Sequence, residues 1–272
     1  MKKLFKKIRN TLMPPESIVE FLKHIKAAPK KPYERLDDKE WKNVYEGQVA
    51  EIKEKIKTDA FISEWTSEME RLTHVGESVI EIGMALGTTS LYLAKRGRIC
   101  TGLDYSMEMC DIFVQTAGEL ELSVKAVCTD ITKPLPIDDN AFDVVFHAGV
   151  IEHFSDDEVR FIINENARIA KGRVICMAPN ATSLAYRIGK EYHERNGTWT
   201  VGEENPKHSL GAVFANAGLK NIREYSIDLD TALFWLPKGA LKSTLTDIYK
   251  NLPTTDNCGQ GYLLVTIGEK EF

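Results

Sequence analysis

The hydrophobic residues of the chain follow two different patterns on either side of residue 76. Up to about residue 75 they recur every three or four positions, which is typical of amphipathic helices. The longest such run contains Trp41, Val44, Tyr45, Val49, Ile52 and Ile56. From Ser78 onward, short apolar runs alternate with helical patterns. The sequence therefore predicts a helical N-terminal extension or cap over residues 1–75 and an α/β domain over residues 76–272.

The α/β part of the sequence predicts seven strands separated by helices. The predicted strands are residues 78–82, 98–103, 124–128, 142–147, 172–178, 221–228 and 261–268. The predicted helices are residues 88–96, 106–120, 156–169, 207–217 and 238–250. Such alternation, with strands that are apolar along most of their length, is typical of a doubly wound, mostly parallel sheet covered on both faces. Ligands on these sheets bind beyond the carboxyl ends of the strands, so we expect the functional residues just after strands one to four.

Composition and charge exclude several classes of protein. The 272 residues are 43% hydrophobic and 28% charged, which is ordinary for a globular domain, and the longest apolar stretch is too short to span a bilayer. A net charge of −5 argues against a chain built as a whole to bind nucleic acid. The five cysteines form no CxxC pair, so we expect neither zinc nor a disulfide framework, and we predict reduced thiols in the cytoplasm.

The first 31 residues are unusually basic, with nine lysines or arginines against two glutamates. An apolar stripe runs through this region at helical spacing and consists of Leu4, Phe5, Ile8 and Leu12. A basic amphipathic helix of this kind can lie on an anionic membrane. The alternative is a short helix that docks on the domain, because Pro14 and Pro15 limit its length. We therefore predict at most weak membrane-surface contact through residues 1–12, and no secretion signal.

The turn after the first predicted strand contains Glu81, Gly83, Ala85 and Gly87. Glycines between a strand and a helix let a ligand approach the backbone closely. The dinucleotide fingerprint requires glycine at positions 83, 85 and 88, and two of these are missing. On this segment alone, a plain tight turn remains the alternative to a ligand-binding loop.

Acidic residues also follow the next two predicted strands. Asp104, followed by Tyr105, ends the second strand, where a carboxylate can accept two hydrogen bonds from a ribose diol. Asp130, followed by Ile131, ends the third strand, within reach of an adenine amino group. Acids at three successive strand ends, counting Glu81, suit a ligand with an amine and a ribose. They would repel a ligand rich in phosphate.

Together these motifs resemble the class I S-adenosylmethionine-dependent methyltransferases, particularly the small-molecule branch that includes ubiquinone-type O-methyltransferases. The resemblance covers about residues 78–180 by motif and 207–268 by the order of elements. It implies a Rossmann-like methyltransferase fold and S-adenosylmethionine as methyl donor. In the family pattern, acid-x-Gly-x-Gly-x-Gly follows strand one; here Ala85 replaces the central glycine, so we expect a tighter or shifted methionine pocket that still binds. Glu81 would lie near the amino-acid end of the cofactor.

The resemblance also implies the roles of individual residues. Asp104 would hold the ribose hydroxyls, and Asp130 would receive the adenine amino group while Ile131 backs the ring. His147 and Ala148, at the end of the fourth strand, would line the methionine and sulfonium end. The implied cofactor-binding residues are Glu81, Gly83, Ala85, Gly87, Asp104, Tyr105, Asp130, Ile131, His147 and Ala148.

Two residues after the fourth strand are candidates for proton removal. Methyl transfer from a sulfonium is an in-line displacement on an activated donor, so a base is needed only if the acceptor must lose a proton. His153 is the first candidate and Glu152 the second, because a histidine suits base chemistry at neutral pH. The alternative is that His153 packs locally or caps the next helix. Some relatives bind a metal with this Glu-His pair and an acid three residues earlier; that position is Gly149 here, so we predict no metal.

The leading prediction is therefore a methyltransferase acting on a small-molecule acceptor, most simply at oxygen, with nitrogen and carbon left open. One alternative is a methyltransferase for protein, peptide or RNA, and another is a catalytically silent cofactor-binding protein. His147-Ala148-Gly149-Val150 stands where enzymes that methylate the amino groups of nucleic acid bases carry Asn/Asp-Pro-Pro-Tyr/Phe. We expect the acceptor to be selected by the N-terminal helices and by insertions near residues 181–206 and 229–258, which are rich in aromatic residues.

Overall fold

A computed structural model describes residues 36–45, 47–251 and 259–271 of the chain. The predicted basic helix of residues 1–12 lies outside these residues. The chain divides into two compact units. Among the described residues, the larger unit comprises 36–45, 47–179, 204–225 and 264–271, and the smaller one comprises 180–203, 226–251 and 259–263. The division at residue 75 and the acceptor-covering insertions stay predictions.

The described elements alternate between helix and strand along most of the chain. The helices are α1 (Asp38–Tyr45), α2 (Val49–Lys57), α3 (Glu64–Leu72), α4 (Thr88–Lys95), α5 (Met107–Glu119), α6 (Asp156–Ile169), α7 (Leu184–Asn196), α8 (Gly211–Asn216), α9 (Leu229–Phe234) and α10 (Ala240–Lys250). The strands are β1 (Ser78–Ile82), β2 (Ile99–Asp104), β3 (Val124–Cys128), β4 (Phe142–Ala148), β5 (Ala170–Pro179), β6 (Lys220–Ile227) and β7 (Leu263–Glu269). A single 3₁₀ turn, Ile151–His153, follows β4.

The seven strands form one sheet in the order β3-β2-β1-β4-β5-β7-β6. Strands β1 to β5 are paired in parallel, with Val79 opposite both Cys100 of β2 and Val144 of β4. This order confirms the predicted doubly wound, mostly parallel sheet. The strand order changes direction between β1 and β4: β2 and β3 lie on one side of β1, and β4 lies on the other. Because β1 to β4 are parallel, their carboxyl ends meet at one edge of the sheet.

Apolar clusters join the sheet to the helices of the larger unit. One cluster joins Ile80 and Ile82 of β1 to Ile162 of α6, and all three are buried. A second cluster joins Leu91 of α4 to Phe113 of α5, together with further buried residues of α2 and α5. Burial of these side chains is the main source of stability at such interfaces, at about 25 cal/mol per Å² of apolar surface.

The N-terminal helices of the larger unit are shorter than the sequence pattern predicts. The apolar run from Trp41 to Ile56 predicts one long helix, but α1 and α2 are separate. Gly47, between them, has φ +79°, a left-handed conformation that ends a helix. Helix α3 begins at Glu64 because the Ser63 side chain caps it, accepting a hydrogen bond from the backbone of Thr66.

The described part of the smaller unit has its own apolar cluster. Trp199 packs with Tyr186 of α7, with Leu233 of α9 and with Leu236, which lies just after the end of α9. Gly189 of α7 permits this packing, because a Cβ there would lie 2.6 Å from the backbone of Trp235. In the part of the chain that the structure describes, no helix is both long enough and apolar enough to cross a membrane.

Candidate functional site

A cavity of about 480 Å³ lies in the larger unit, at the edge where the parallel strands end. Residues at or just after the ends of β1, β2, β3 and β4 line its wall. They include Gly83 after β1, Asp104 at the end of β2, Asp130 after β3 and Gly149 after β4. The volume is within the range of small-molecule sites, roughly 300–1,000 Å³. The structure thus brings the predicted strand-end residues together in one cavity.

The turn between β1 and α4 has an unusual backbone. Gly83, Ala85 and Gly87 have φ values of +65°, +50° and +63°, all in the left-handed region. A Cβ at Gly87 would lie 2.2 Å from the ring of Phe113, so only glycine fits there. A side chain in this region costs roughly 1–2 kcal/mol, and Ala85 accepts that cost at the position where the family pattern has its central glycine. Gly83 and Ala85 contact the cavity.

Asp104 occupies the centre of the acidic edge. Its side chain is buried and lines the cavity. Oδ2 accepts a hydrogen bond of 2.9 Å from the backbone N–H of Ala85, and Oδ1 accepts one of 3.0 Å from that of Ser106. The carboxylate is therefore held at a fixed position by donors from two different turns.

Glu81 lies behind the turn rather than on the cavity wall. Its Oε2 accepts hydrogen bonds of 3.0 Å from the backbone N–H and 2.7 Å from the hydroxyl of Ser90, in the first turn of α4. Burial, with a smaller contribution from the charge of Asp104, raises the pKa of Glu81 to about 7. This carboxyl therefore changes its charge near neutral pH, and its contacts fix the start of α4.

Asp130 and its neighbours form a more exposed part of the wall. Oδ1 of Asp130 accepts hydrogen bonds of 2.9 and 2.7 Å from the backbone and hydroxyl of Thr132. Burial acts to raise the pKa of Asp130. These bonds, together with the Nζ of Lys133, which lies 3.3 Å from Oδ2, nevertheless hold the pKa of Asp130 below its ordinary value. Ile131 is buried and Tyr105 is 47% exposed, and both contact the cavity.

His147 and Ala148 lie at the end of β4, as predicted, but the described cavity wall contains neither of them. The His147 side chain is completely buried, and neither ring nitrogen has a hydrogen-bond partner among the described residues. Burial lowers the pKa of His147 to about 4, so the ring is neutral at physiological pH. Gly87 and Glu81 are also outside the wall. The direct cofactor contacts of these four residues stay predictions.

His153 contacts the cavity, whereas Glu152 is buried and is not part of the described wall. Nε2 of His153 lies 3.9 Å from Oε1 of Glu152. The Glu152 carbonyl accepts a 2.8 Å hydrogen bond from the backbone of Asn205, which fixes this turn. The next helix, α6, is capped by Ser155 and not by His153, since Ser155 and Glu158 form a complete capping box.

Two aromatic residues of α1 complete the wall on the side of His153. The indole of Trp41 makes an edge-to-face contact with the His153 ring, with 5.2 Å between the ring centroids. Tyr45 stacks on Trp41 with 6.1 Å between the ring centroids. Burial, together with the charges of Asp104, Glu152 and Glu81, raises the pKa of Tyr45 to about 12. Tyr45 is therefore a neutral phenol that can donate a hydrogen bond.

The sequence identified Trp41 and Tyr45 only as members of an amphipathic helical run. Their helical spacing identified a buried face but could not show that this face borders a cavity. Asp37, Ser106 and Met109 also line the wall and carried no recognised signal in the sequence. Within residues 36–45, 47–251 and 259–271, no group of three or more metal-ligating side chains comes together.

Comparison with known proteins finds similarity to methyltransferases. Residues 79–172 match the family described as "Methyltransferase domain". The ubiquinone biosynthesis O-methyltransferase of Coxiella burnetii is 32% identical over 127 residues, a match that covers 45% of this chain and 53% of that protein. The chain thus spans about half the length of that curated relative. The demethylmenaquinone methyltransferase of Bacillus mycoides is 25% identical over 185 residues, covering 58% of this chain and 77% of that protein.

A solved structure resembles the fold over the full length of both chains. It is the magnesium protoporphyrin IX methyltransferase of Synechocystis with bound SAH, with a TM-score of 0.51 and 15% sequence identity. It covers 100% of this chain and 100% of that one. At this level of identity the likeness supports the fold.

Proposed function

We propose that this chain is a class I S-adenosylmethionine-dependent methyltransferase, that it transfers a methyl group to a small-molecule acceptor, and that the accepting atom is oxygen. The match of residues 79–172 to a methyltransferase domain supports the first part of this proposal. One observation carries the proposal. Asp104 and Asp130 line the same cavity as an aromatic wall made by Trp41 and Tyr45. The acids suit the polar parts of the cofactor, and the aromatic rings suit a flat or partly apolar acceptor.

The residues present fit S-adenosylmethionine. Gly83 and Gly149 carry no side chain, so a ligand can approach the backbone after β1 and β4. Among the described residues of the wall there are three aspartates, Asp37, Asp104 and Asp130, and no lysine or arginine. This charge pattern favours a cationic sulfonium and ammonium, and it disfavours a ligand rich in phosphate.

The proposed roles on the nucleoside side follow from position. Asp104, held by two backbone donors, accepts the ribose hydroxyls, and Asp130 accepts the adenine amino group. Ile131 packs on the adenine ring, and Tyr105 borders it from the exposed side. A fixed carboxylate loses little entropy when the ligand arrives, which favours tight binding.

The proposed roles on the methionine side belong to the turn after β1 and the end of β4. Gly83, Ala85 and Gly87 hold the turn open, and Glu81 supports it through Ser90 while its charge favours the ammonium group. His147 and Ala148 support this end from beneath the cavity. When bound, S-adenosylmethionine supplies the activated methyl group; the chain supplies alignment and a dry site.

The acceptor side is the aromatic wall beside His153. Trp41 and Tyr45 exclude water there, and His153 takes the proton that a hydroxyl acceptor must lose. Glu152 positions His153 through the charge on its carboxylate, 3.9 Å from Nε2. The name of the Coxiella relative, an O-methyltransferase of ubiquinone biosynthesis, supports oxygen as the accepting atom. We further propose a cytoplasmic location. We also propose that residues 181–206 and 229–258 take part in selecting the acceptor.

The experiment that tests this function is a turnover assay on the full chain. The protein is incubated with S-adenosylmethionine and, separately, with a catechol, a simple phenol and an aromatic amine, and both products are measured by mass spectrometry. We expect S-adenosylhomocysteine and an O-methylated product with the catechol or phenol. Methylation of the amine alone would contradict oxygen as the acceptor. Asp138→Ala, at an exposed site with no contact to the cavity, is a control that should retain turnover.

A further inference from the structure

Two cysteines, Cys110 and Cys128, lie close to the strand end that carries Asp104. Cys128 is the last residue of β3 and lies opposite Asp104 in the parallel register with β2. Cys110 is in the first turns of α5. The structure describes both thiols as free, with Cys110 buried and Cys128 exposed.

Both thiols lie against the same short piece of backbone. Sγ of Cys110 lies 3.9 Å from the carbonyl oxygen of Asp104, and Sγ of Cys128 lies 3.4 Å from that of Tyr105. Thiols that lie against the carbonyls of two consecutive residues share one small region of the fold, and a disulfide between them requires the sulfurs to approach to about 2.05 Å.

We propose that Cys110 and Cys128 are a reversible oxidation site, at which glutathione disulfide converts the two thiols to one disulfide and thereby weakens cofactor binding. The second half of this inference rests on the proposed cofactor site at Asp104. Neither the ribose contact nor methyl transfer requires the thiols, so the pair has no part in the function proposed above.

The chemistry balances with glutathione disulfide as the oxidant. The exposed Cys128 thiolate attacks one sulfur of the oxidant, and the first glutathione leaves as a thiol. Cys110 then attacks the sulfur of Cys128, breaks the mixed disulfide and releases the second glutathione. Two protein thiols lose two electrons and two protons, and one glutathione disulfide becomes two glutathione molecules.

The surroundings decide the order of these steps. Burial, followed by the effects of Cys128 and Asp104, raises the pKa of the Cys110 thiol to about 12. Cys110 is therefore rarely a thiolate and acts second, once Cys128 carries glutathione. The second step is slow for the same reason, so oxidation proceeds over hours and is faster at mildly alkaline pH.

The effect on Asp104 follows from what the disulfide removes. Both S–H groups are lost, and with them the hydrogen bonds to the carbonyls of Asp104 and Tyr105. The two sulfurs must also approach to about 2.05 Å, which draws the start of α5 toward the end of β3. Ser106, the cap of α5, donates its backbone N–H to Asp104, so this movement displaces the carboxylate.

The test oxidises the full chain with glutathione disulfide and measures two independent quantities. Peptide mass spectrometry reports whether Cys110 and Cys128 become linked, with no reference to any ligand. Calorimetry reports the dissociation constant for S-adenosylhomocysteine before oxidation, after it, and after reduction with dithiothreitol. We expect the linked peptide, a rise of roughly tenfold in the dissociation constant, and recovery on reduction.

Two variants make the result specific. Cys128→Ser keeps a hydroxyl donor to the Tyr105 carbonyl, and it should bind normally and show no response to the oxidant. Cys258→Ser removes the fifth cysteine of the chain and should respond as the unmodified protein does.

Each outcome decides one half of the inference. A glutathione adduct on Cys128 with Cys110 still a free thiol would overturn the oxidation site. A linked pair with unchanged affinity would overturn the effect on the cofactor. Reduced protein that does not bind S-adenosylhomocysteine at all would overturn the proposed function together with that effect, while the linked peptide would still decide the oxidation site.

Discussion

The carboxylate of Asp104 accepts a 2.9 Å hydrogen bond from the backbone N–H of Ala85, so the end of β2 and the turn after β1 are fixed to each other. The second oxygen accepts from the backbone of Ser106. Bonds to a charged, buried group contribute about 1.5–3 kcal/mol each. The contact that orients the proposed ribose ligand therefore also holds the glycine turn in its left-handed conformation.

We expect Ala85→Gly to stabilise the protein. Ala85 has φ +50°, and glycine relieves the cost of a side chain there, about 1–2 kcal/mol, while adding less than about 1 kcal/mol of entropy to the unfolded chain. The net gain should be about 0.5–1 kcal/mol in the free energy of unfolding, measured with urea. Ala85→Val should destabilise the turn and block the cofactor, because a branched side chain is much less compatible with this conformation.

The matched control is Ala94→Gly in the last turn of α4. There the backbone is helical, so the same substitution should destabilise the protein by about 1 kcal/mol. A loss of stability in Ala85→Gly as large as that in the control would show that the turn is not strained. Full cofactor binding by Ala85→Val would show that the ligand does not approach this backbone.

Glu81 should make stability depend on pH near neutrality. Its pKa in the folded state is about 7, above the ordinary value of 4.5, because the carboxyl is buried. The folded state therefore binds the proton more tightly, and the stabilisation from protonation is complete below about pH 4.5 and lost as pH rises through about 7. Relative to Glu81→Gln, the unmodified protein should lose up to about 3 kcal/mol over this window.

Thermal unfolding at a series of pH values measures this difference. Glu54→Gln, on the exposed side of α2, is the control and should differ from the unmodified protein by a constant amount. If the difference between Glu81→Gln and the unmodified protein were also constant, the pKa of Glu81 would be the same in the folded and unfolded states, and burial would not raise it. Adding S-adenosylmethionine should release a proton near pH 7, since an ammonium group favours the ionised carboxylate.

His153→Ala should lower turnover of a hydroxyl acceptor by about 10²–10⁴-fold and leave the affinity for S-adenosylhomocysteine unchanged. A base in its neutral form is required, so the rate for the unmodified enzyme should rise with pH and the variant should lack that rise. His74→Ala, at an exposed site outside the cavity wall, is the matched control. Normal turnover in His153→Ala would make its contact with Trp41 purely structural.

Trp41→Ala should weaken the binding of the acceptor but not the binding of the cofactor. The indole contributes the aromatic surface next to His153, and its loss should raise the acceptor KM by about tenfold. Phe61→Ala is the control, since Phe61 is 64% exposed and contacts no part of the cavity. Equal effects of Trp41→Ala on acceptor KM and on the S-adenosylhomocysteine dissociation constant would place the indole on the cofactor instead.

The strands of this fold could be predicted from sequence because their apolar runs are short and bounded by turns. β3 has the bounds that the pattern predicts, residues 124–128. Helix α7 was missed because its buried face is partly polar. Lys190 and Glu194 are both nearly buried and form an ion pair at 2.8 Å, and Gly189 contributes no side chain, so the apolar spacing that predicts a helix is weak there.

The candidate site could be predicted as far as strand ends define it. Asp104 and Asp130 border one cavity because parallel strands present their carboxyl ends at a common edge. The position of His147 depends on which face of β4 it occupies. It shares that face with Val145, a member of a buried cluster, and the His147 side chain is itself buried and outside the described cavity wall. The wall from α1 depends on tertiary packing, which local spacing does not encode.

The most direct test of the account is the affinity of Asp104→Ala for S-adenosylhomocysteine, measured by calorimetry beside the unmodified protein and Asp138→Ala. Removing the fixed carboxylate eliminates a charge-assisted acceptor for the ribose, which contributes about 1.5–3 kcal/mol. We expect a loss of roughly 10- to 150-fold for Asp104→Ala and none for Asp138→Ala. Thermal unfolding of each variant without ligand checks that it is folded. Unchanged binding by a folded Asp104→Ala protein would contradict the assignment of this cavity as the S-adenosylmethionine site.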